Sequence, residues 1–584
     1  MTEMTGGELI ARMLENEGVD TMFGIVDGTY LQLCVHAVKR GIHLYTPRHE
    51  TMGLHMAGAY ARLTGKLGVC IASNGPGVAN ALSGIAVEQV EGNRVLVITS
   101  CRRPNITYPD RGGAYQAFDQ VGVIRAMSKW SEAATSFDRI GELLRQALRK
   151  CYQGRPGVVH LDVPENLING KGEAGAILAP RQYRRVDPIY PSPDQVERAA
   201  RMLTEAKLPI IHAGSGVIHA DAFAELAQLS ELLHAPVTTS WAARAVINES
   251  SQLSWPMIHV AANTELRKEA DLVLVVGSRL GETDWWGKAP YWKQPLDQTM
   301  IQVDIDEENF GRTKAAALTI LADAKVFLVE LNRRLRAIKG DIQLEPRRKI
   351  VSQLAKSRDE DRAKLDKKLS DKASPMLTAH VPAIAQQEFP RDTVTVLDGG
   401  NTSVWGNFYH RVNTPNSLIG TASHMGHLGA GMGMAIGAAI ARPDQRICCI
   451  ISDGAFGFQP QEVETAIRHD LPVVFLVVCD RQWGMVKMTQ SIALKPIKMM
   501  IKKSLRPEET INSELGEVRY DKLGEAMGAH GEHVTSPADL APAIRRSLAA
   551  GRCAVIQVDV DSKKHLWAPG LMHFKAMHQE PKGK

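Results

Sequence analysis

Two runs decide the fold: ICCIISDGAFG (residues 447–457) and PVVFLVVCDRQWG (residues 472–484). Each opens with a β-branched, apolar stretch of strand length and ends on an aspartate, and the residues between them read as helix. A continuous apolar run marks a strand covered on both faces, as in parallel sheets wrapped by helices. Ligands of such sheets sit beyond the carboxyl ends of the strands, so Asp453 and Asp480, 27 residues apart, are expected to face one another across a crevice. A hard cation such as Mg²⁺ takes oxygen ligands and commonly keeps phosphate oxygens and water. Two carboxylates and a backbone carbonyl leave room for a diphosphate. Gly454 permits close approach of the backbone, and the helix start that includes Ala455 is expected to offer free N–H groups to anionic oxygens.

The same alternation runs outward through the chain. Strands are expected at Thr21–Val26, His43–Pro47, Gly68–Ser73, Arg94–Ser100 and Gly157–Val163, before a linker near residues 164–190. A second unit has strands Pro209–Ala213, Asp271–Gly277 and Met300–Asp304, and the last has Thr393–Leu397, Ile447–Ile451, Val473–Val478 and Cys553–Val558. At 584 residues the chain is too long for one core. The expected fold class is α/β, three α/β domains with parallel sheets: residues 1–170, 190–340 and 375–563, with a charged helical connector at 341–374, read as solvated, and a tail at 564–584.

Composition excludes several classes of function. The chain is 44% apolar and 23% charged with a net charge of +5, and no basic run is interleaved with aromatics, so nucleic acid is not an expected partner. No stretch is apolar enough to span a membrane, and the N-terminus reads as the start of an amphipathic helix rather than a signal peptide. The eight cysteines show no metal-ligand spacing and read as buried thiols, which points to the cytoplasm.

The run 447–484 resembles the thiamine-diphosphate motif of the pyruvate-decarboxylase-like superfamily, Gly-Asp-Gly followed about 27 residues later by Asn-Asn. Here Ser452 replaces the first glycine and Cys479-Asp480 the asparagines. The resemblance implies Mg²⁺ held by Asp453, Asp480 and the carbonyl of Gln482, and the three domains become pyrimidine-binding, central and diphosphate-binding. Arg48-His49-Glu50 followed by AGAYARLTGKLGVCIASNGPGVANAL (57–82) resembles the pyrimidine-domain signature of acetohydroxyacid synthases. It makes Glu50 the carboxyl that meets the cofactor's pyrimidine nitrogen; a helix-start glutamate favoured by the dipole is the plainer account.

By the same resemblance, Asn74 in Asn74-Gly75-Pro76-Gly77 and the loop GGAYQAFD (112–119) face the cofactor, with Gln116 catalytic and Phe118 on the substrate side. Leu428 in GHLGAGMGMAIGAA (426–439) is the apolar wedge beneath the cofactor. Gly400, Asn401 and Met485 contact it, Asn401 as the phosphate donor. Asp27 stands open between a substrate-side acid and a turn former. Thr489 occupies a substrate-selecting position where the synthases carry tryptophan. Arg155, Arg279 and Asp304 match positions that hold an adenine nucleotide, ADP or CoA or FAD, in relatives; structural ion-pairing is the other reading. The run LGETDWWG (280–287) departs from the flavin-using pattern. The segment 491–509, with five basic residues, is open between a lid and a patch for an anionic tail.

The resemblance extends over nearly the whole chain, to acetohydroxyacid synthases, oxalyl-CoA decarboxylases and 2-hydroxyacyl-CoA lyases. It implies a lyase or carboligase acting on 2-oxo acid or 2-hydroxyacyl substrates as a homodimer or homotetramer. A flavin-carrying acetolactate synthase-like enzyme and a non-catalytic homologue are the alternatives.

Overall fold

The computed structural model describes residues 2–294, 296–421, 424–571 and 576. Of the expected tail, residues 572–575 and 577–584 lie outside the described residues. Three six-stranded sheets, each parallel throughout, carry the architecture. The first has the order His43–Tyr45, Thr21–Gly24, Gly68–Ala72, Val95–Cys101, Val158–Pro164, Trp130–Ala133. The central sheet runs Ser254–Trp255, Val237–Thr239, Pro209–Ala213, Leu272–Val276, Thr299–Asp304, Leu318–Leu321. The last runs Leu418–Gly420, Val394–Asp398, Ile447–Ser452, Val473–Cys479, Ala554–Asp559, His530–Val534.

Helices cover both faces of each sheet, so inner strands such as Gly68–Ala72, Val158–Pro164 and Val473–Cys479 are buried from end to end. The first and last domains share one hydrophobic core. Helix Glu50–Thr64 packs on helix Ala430–Ala441, and two glycines set the separation. A Cβ on Gly433 would lie 2.8 Å from the Cβ of His55, and one on Gly437 would lie 2.5 Å from the carbonyl oxygen of Met56. Any larger residue would push the two domains apart.

Three expectations are corrected. The N-terminus starts as a strand, Thr2–Thr5, before helix Gly6–Asn16. Its partner is Lys171–Ala174, inside the expected linker, so that linker is pinned to the first domain by an antiparallel pair. The connector is helix Leu344–Asp366, and its first turn is not solvated. Arg347 is buried and donates to the carbonyls of Leu203, Thr204, Ala206 and Leu233, closing the carboxyl ends of two central-domain helices at once. No helix among the described residues is long and apolar enough to cross a membrane. All eight cysteines are unpaired, and all but Cys101 are fully buried.

Candidate active site

Adjacent strands bring Asp453 and Asp480 to one edge. Ser452 pairs with Val478 in the ladder, so the residues that follow leave the sheet side by side. Ser452 caps the short helix Asp453–Phe456, its Oγ accepting from Ala455 N at 3.1 Å. The carboxylate of Asp453 accepts from Gly454 N and, across the crevice, from Arg481 N, both at 2.8 Å. That second bond coincides with the left-handed backbone of Arg481 (φ 54°), a strained conformation for a long side chain. The N–H groups of Gly454 and Ala455 are therefore engaged by Asp453 and Ser452, where free anion donors were expected.

Burial pushes the carboxyls of Asp453 and Asp480 up, each to about 7, and the charge of Asp480 adds to the rise at Asp453. Asp480 Oδ2 is buried without a hydrogen-bond partner, and the Nε2 of the buried His565 lies 3.7 Å away. On the neighbouring strand end, Gly399 (φ 98°) lets helix Gly400–Tyr409 start beside Ser452; a Cβ there would lie 2.5 Å from Ser452 Oγ. In the first turn of this helix Asn401 Oδ1 and Nδ2, Thr402 Oγ1 and Ser403 Oγ are all buried and unpartnered.

Gly484 joins the two groups. A Cβ on it would lie 2.8 Å from Asn401 Nδ2 and 3.2 Å from Asp480 Oδ2, so unsatisfied polar atoms of both groups meet at this glycine. Gln482 beside it accepts from Gly484 N at 2.9 Å, which leaves its carbonyl a second lone pair, and its Nε2 donates to Ser562 O at 2.7 Å. Among the described residues no group of three or more His, Cys, Asp or Glu side chains gathers at metal-binding spacing. Two carboxylates, a carbonyl and an unpartnered amide instead fit a divalent cation that brings phosphate oxygens with it. Met485 packs against Gly400, whose Cβ position is 3.3 Å from that of Met485, and Leu428 stands half-buried against the shared core.

A second cluster lies at the carboxyl end of the first sheet. Glu50 opens its helix, buried, with Oε2 accepting from Asn80 Nδ2 at 3.0 Å; a Cβ on Gly77 would lie 3.3 Å from its Oε1. Asn74 Nδ2 donates to Gln116 O at 3.0 Å, and Gln116 takes a left-handed backbone (φ 53°) against Gly75. Asp27 caps the turn Gly28–Tyr30 by accepting from Thr29 N at 2.8 Å, and Thr29 Oγ1 shares a hydrogen bond of 2.6 Å with Ser100 Oγ.

Two residues that sequence reasoning missed hold these loops together. Ser100 Oγ accepts from Asn74 N at 3.2 Å. Gln120 Oε1 accepts from Gly75 N at 2.7 Å while its Nε2 donates to Ser100 O and to Asp162, whose carboxyl burial raises to about 6. Phe118 and the loop around it are exposed. No hydrogen bond or ion pair among the described residues links the Glu50 cluster to the Asp453–Asp480 cluster, although Arg48 N, two residues before Glu50, donates to Glu462 of the last domain at 3.1 Å. Thr489 lies exposed on helix Gly484–Leu494, its hydroxyl donating to Met485 O at 2.9 Å.

The central positions also converge. Arg155, Arg279 and Asp304 line one cavity of about 310 Å³ between the first domain and the Gly214–Gly216 and Gly277–Arg279 turns. Arg155 spends its guanidinium on the carbonyls of Gln89 and Val90, and burial, with Arg279 nearby, lowers it to about 10. Asp304, raised to about 6 by burial, accepts from Asp306 N and Asn309 Nδ2. A glycine turn after one strand and an acid at the end of a nearby strand is the geometry that cradles nucleotides.

Comparison with known proteins agrees with this layout. Residues 4–123 match the profile of the thiamine pyrophosphate enzyme N-terminal TPP binding domain, residues 196–331 the central domain and residues 398–558 the C-terminal TPP binding domain. The chain is 30% identical to a 2-hydroxyacyl-CoA lyase of Arabidopsis thaliana, over 95% of each chain. It is 28% identical to a sulfoacetaldehyde acetyltransferase of Alcaligenes xylosoxydans xylosoxydans (95% and 93% covered). It is 26% identical to a probable acetolactate synthase large subunit of Methanococcus aeolicus (96% and 93% covered).

Proposed function

Because this chain belongs to the thiamine pyrophosphate enzyme family, we propose that it cleaves or joins a carbon–carbon bond beside a carbonyl, as a lyase or carboligase on 2-oxo acid or 2-hydroxyacyl substrates, with Mg²⁺ holding its cofactor. When bound, thiamine diphosphate (the same molecule as thiamine pyrophosphate) supplies the nucleophilic carbon and the electron sink for this chemistry. Asp453, Asp480 and the Gln482 carbonyl hold Mg²⁺, and Asn401 and Gly400 receive the diphosphate, with Gly454, Ala455 and Met485 walling the pocket. Leu428 supports the cofactor from below. Glu50 holds and moves the proton at the pyrimidine nitrogen, with Asn80 fixing one of its oxygens and leaving the other for that contact. Asn74 and Gln116 face the reacting carbon; Asp27, Phe118 and Thr489 border the substrate.

One observation carries this reading: beside Gly484, Asp480 Oδ2 and both polar atoms of Asn401 converge, buried and unpartnered. Such atoms cost about 1–3 kcal/mol each until a ligand satisfies them. The assignment is tested by calorimetry of thiamine diphosphate with Mg²⁺. Asp453→Ala should lower affinity on the order of 10²-fold, because cation and cofactor are held through one another. Unchanged affinity in that variant would remove Asp453 from the site.

The central cavity supports a bound adenine nucleotide, ADP or the CoA portion of a substrate or FAD, with Asp304 on the ribose side and Arg279, which has no ion pair among the described residues, toward the phosphates. Assembly as a homodimer or homotetramer is supported by the loop of residues 104–119 beside Asn74, where Tyr108 is 81% and Tyr115 76% exposed; a second copy would cover it. The unpaired cysteines support a cytoplasmic setting.

A further inference from the structure

The chemistry above leaves unused a cleft of about 600 Å³ on the other side of the short helix Ser562–His565. Three segments remote in sequence meet there. Lys367 and Lys368 come from the end of the connector, Lys503 from the carboxyl end of helix Pro496–Lys502, and Lys563 and Lys564 from Ser562–His565. Among the described lining residues the single acid is Asp371, and Lys564 already engages it at 2.6 Å. The other four lysines have no ion pair among the described residues. Like charges brought together from three segments repel, and among the described lining residues only Asp371, already engaged by Lys564, offsets this.

The cleft is also aromatic. Lys368 Nζ lies 5.7 Å from the ring centre of Trp405, and Lys503 Nζ 5.2 Å from that of Trp567. Both indoles are fixed, Trp405 by donating to His565 O at 2.9 Å and Trp567 by donating to Lys503 O at 2.7 Å. Burial already lowers the Lys368 ammonium from its ordinary value. Trp405 is buried and shapes the floor of the cleft, while Trp567 is partly exposed. Lysines from three directions suit an anion with several acceptor groups, and Trp567 offers an edge or face to a flat ring.

We propose that this cleft binds an organic polyphosphate, an anion with two or more phosphate groups joined to a flat ring. Bound there, it ties the helix of Lys503 to the connector and to the C-terminal helix. The cleft lies close to the catalytic region, since Trp405 is on the helix that carries Asn401, and Ser562 O receives Gln482 Nε2. It includes none of the residues assigned to cofactor or cation, so it stands or falls apart from that assignment. The same chemistry is offered by a free nucleotide and by the nucleotide tail of a thioester.

The test is calorimetry on enzyme saturated with Mg²⁺ and thiamine diphosphate, with ADP, tripolyphosphate and coenzyme A as probes. ADP should bind the parent at a site besides the central cavity, and Lys368→Ala/Lys563→Ala should weaken that second site by about tenfold or more, equivalent to about 1.4 kcal/mol, with thiamine diphosphate affinity unchanged. Lys503→Ala should weaken it several-fold. Coenzyme A competing for the site marks a thioester tail as the occupant; ADP binding that coenzyme A does not displace marks a free nucleotide. ADP bound with the same stoichiometry and affinities by parent and double variant, or no ADP binding to the parent beyond the central cavity, overturns the proposal. Tripolyphosphate bound as tightly as ADP overturns its aromatic part.

Discussion

The two clusters proposed for the active site are built in opposite ways. Around Glu50 the polar groups are paired: Asn74 with Ser100 and Gln116, Gly75 with Gln120, Asp27 with Thr29. Around Asp453 and Asp480 several are not: Asp453 and Ser452 are paired, but Asn401, Thr402, Ser403 and Asp480 all keep buried atoms without partners. A satisfied network fixes geometry before any ligand arrives. An unsatisfied one lowers stability until a ligand fills it. On the proposed function, the last domain holds the cofactor, and the first positions it and exchanges protons.

Glu50→Gln sharpens this contrast most. The amide keeps size and a hydrogen bond but cannot exchange a proton. Loss of the cofactor's C2 hydrogen to deuterium should slow by roughly 10²–10⁴-fold, read by NMR after acid quench, while cofactor binding stays close to that of the parent. Exchange as fast as in the parent would break the division of labour. A smaller effect is expected at Gln120→Leu, which strips Gly75 N–H and Asp162 of a buried partner and loosens the Asn74–Gln116 contact. Turnover should fall about tenfold, equivalent to about 1.4 kcal/mol, with cofactor affinity unchanged. If affinity falls and turnover does not, Gln120 supports the holding cluster instead.

Much of the fold was legible because interior parallel strands must be apolar on both faces. Ile447–Ser452, Val473–Cys479 and Gly68–Ala72 announce themselves for that reason. Edge strands need no such run. Leu418–Gly420 is three residues long, and His530–Val534 is polar along most of its length, so neither was foreseen. Arg347 sat in a charge run that read as solvated; only the fold reveals two helix ends for its guanidinium to close. The site divides similarly. Asp453, Asp480 and Glu50 follow strands, where parallel sheets place chemistry, and a motif names them. Ser100 and Gln120 act by joining loops that are neighbours only in three dimensions, and no local pattern marks them.

The most direct test is thermal unfolding of the parent, Glu50→Gln and Asp453→Ala proteins with and without Mg²⁺ and thiamine diphosphate. Ligand at 100 times its dissociation constant stabilises the folded state by about 2.7 kcal/mol. The midpoint should rise in the parent and nearly as far in Glu50→Gln, and barely move in Asp453→Ala. A rise preserved in Asp453→Ala, or lost in Glu50→Gln alone, would contradict the assignment of cofactor holding to the last domain.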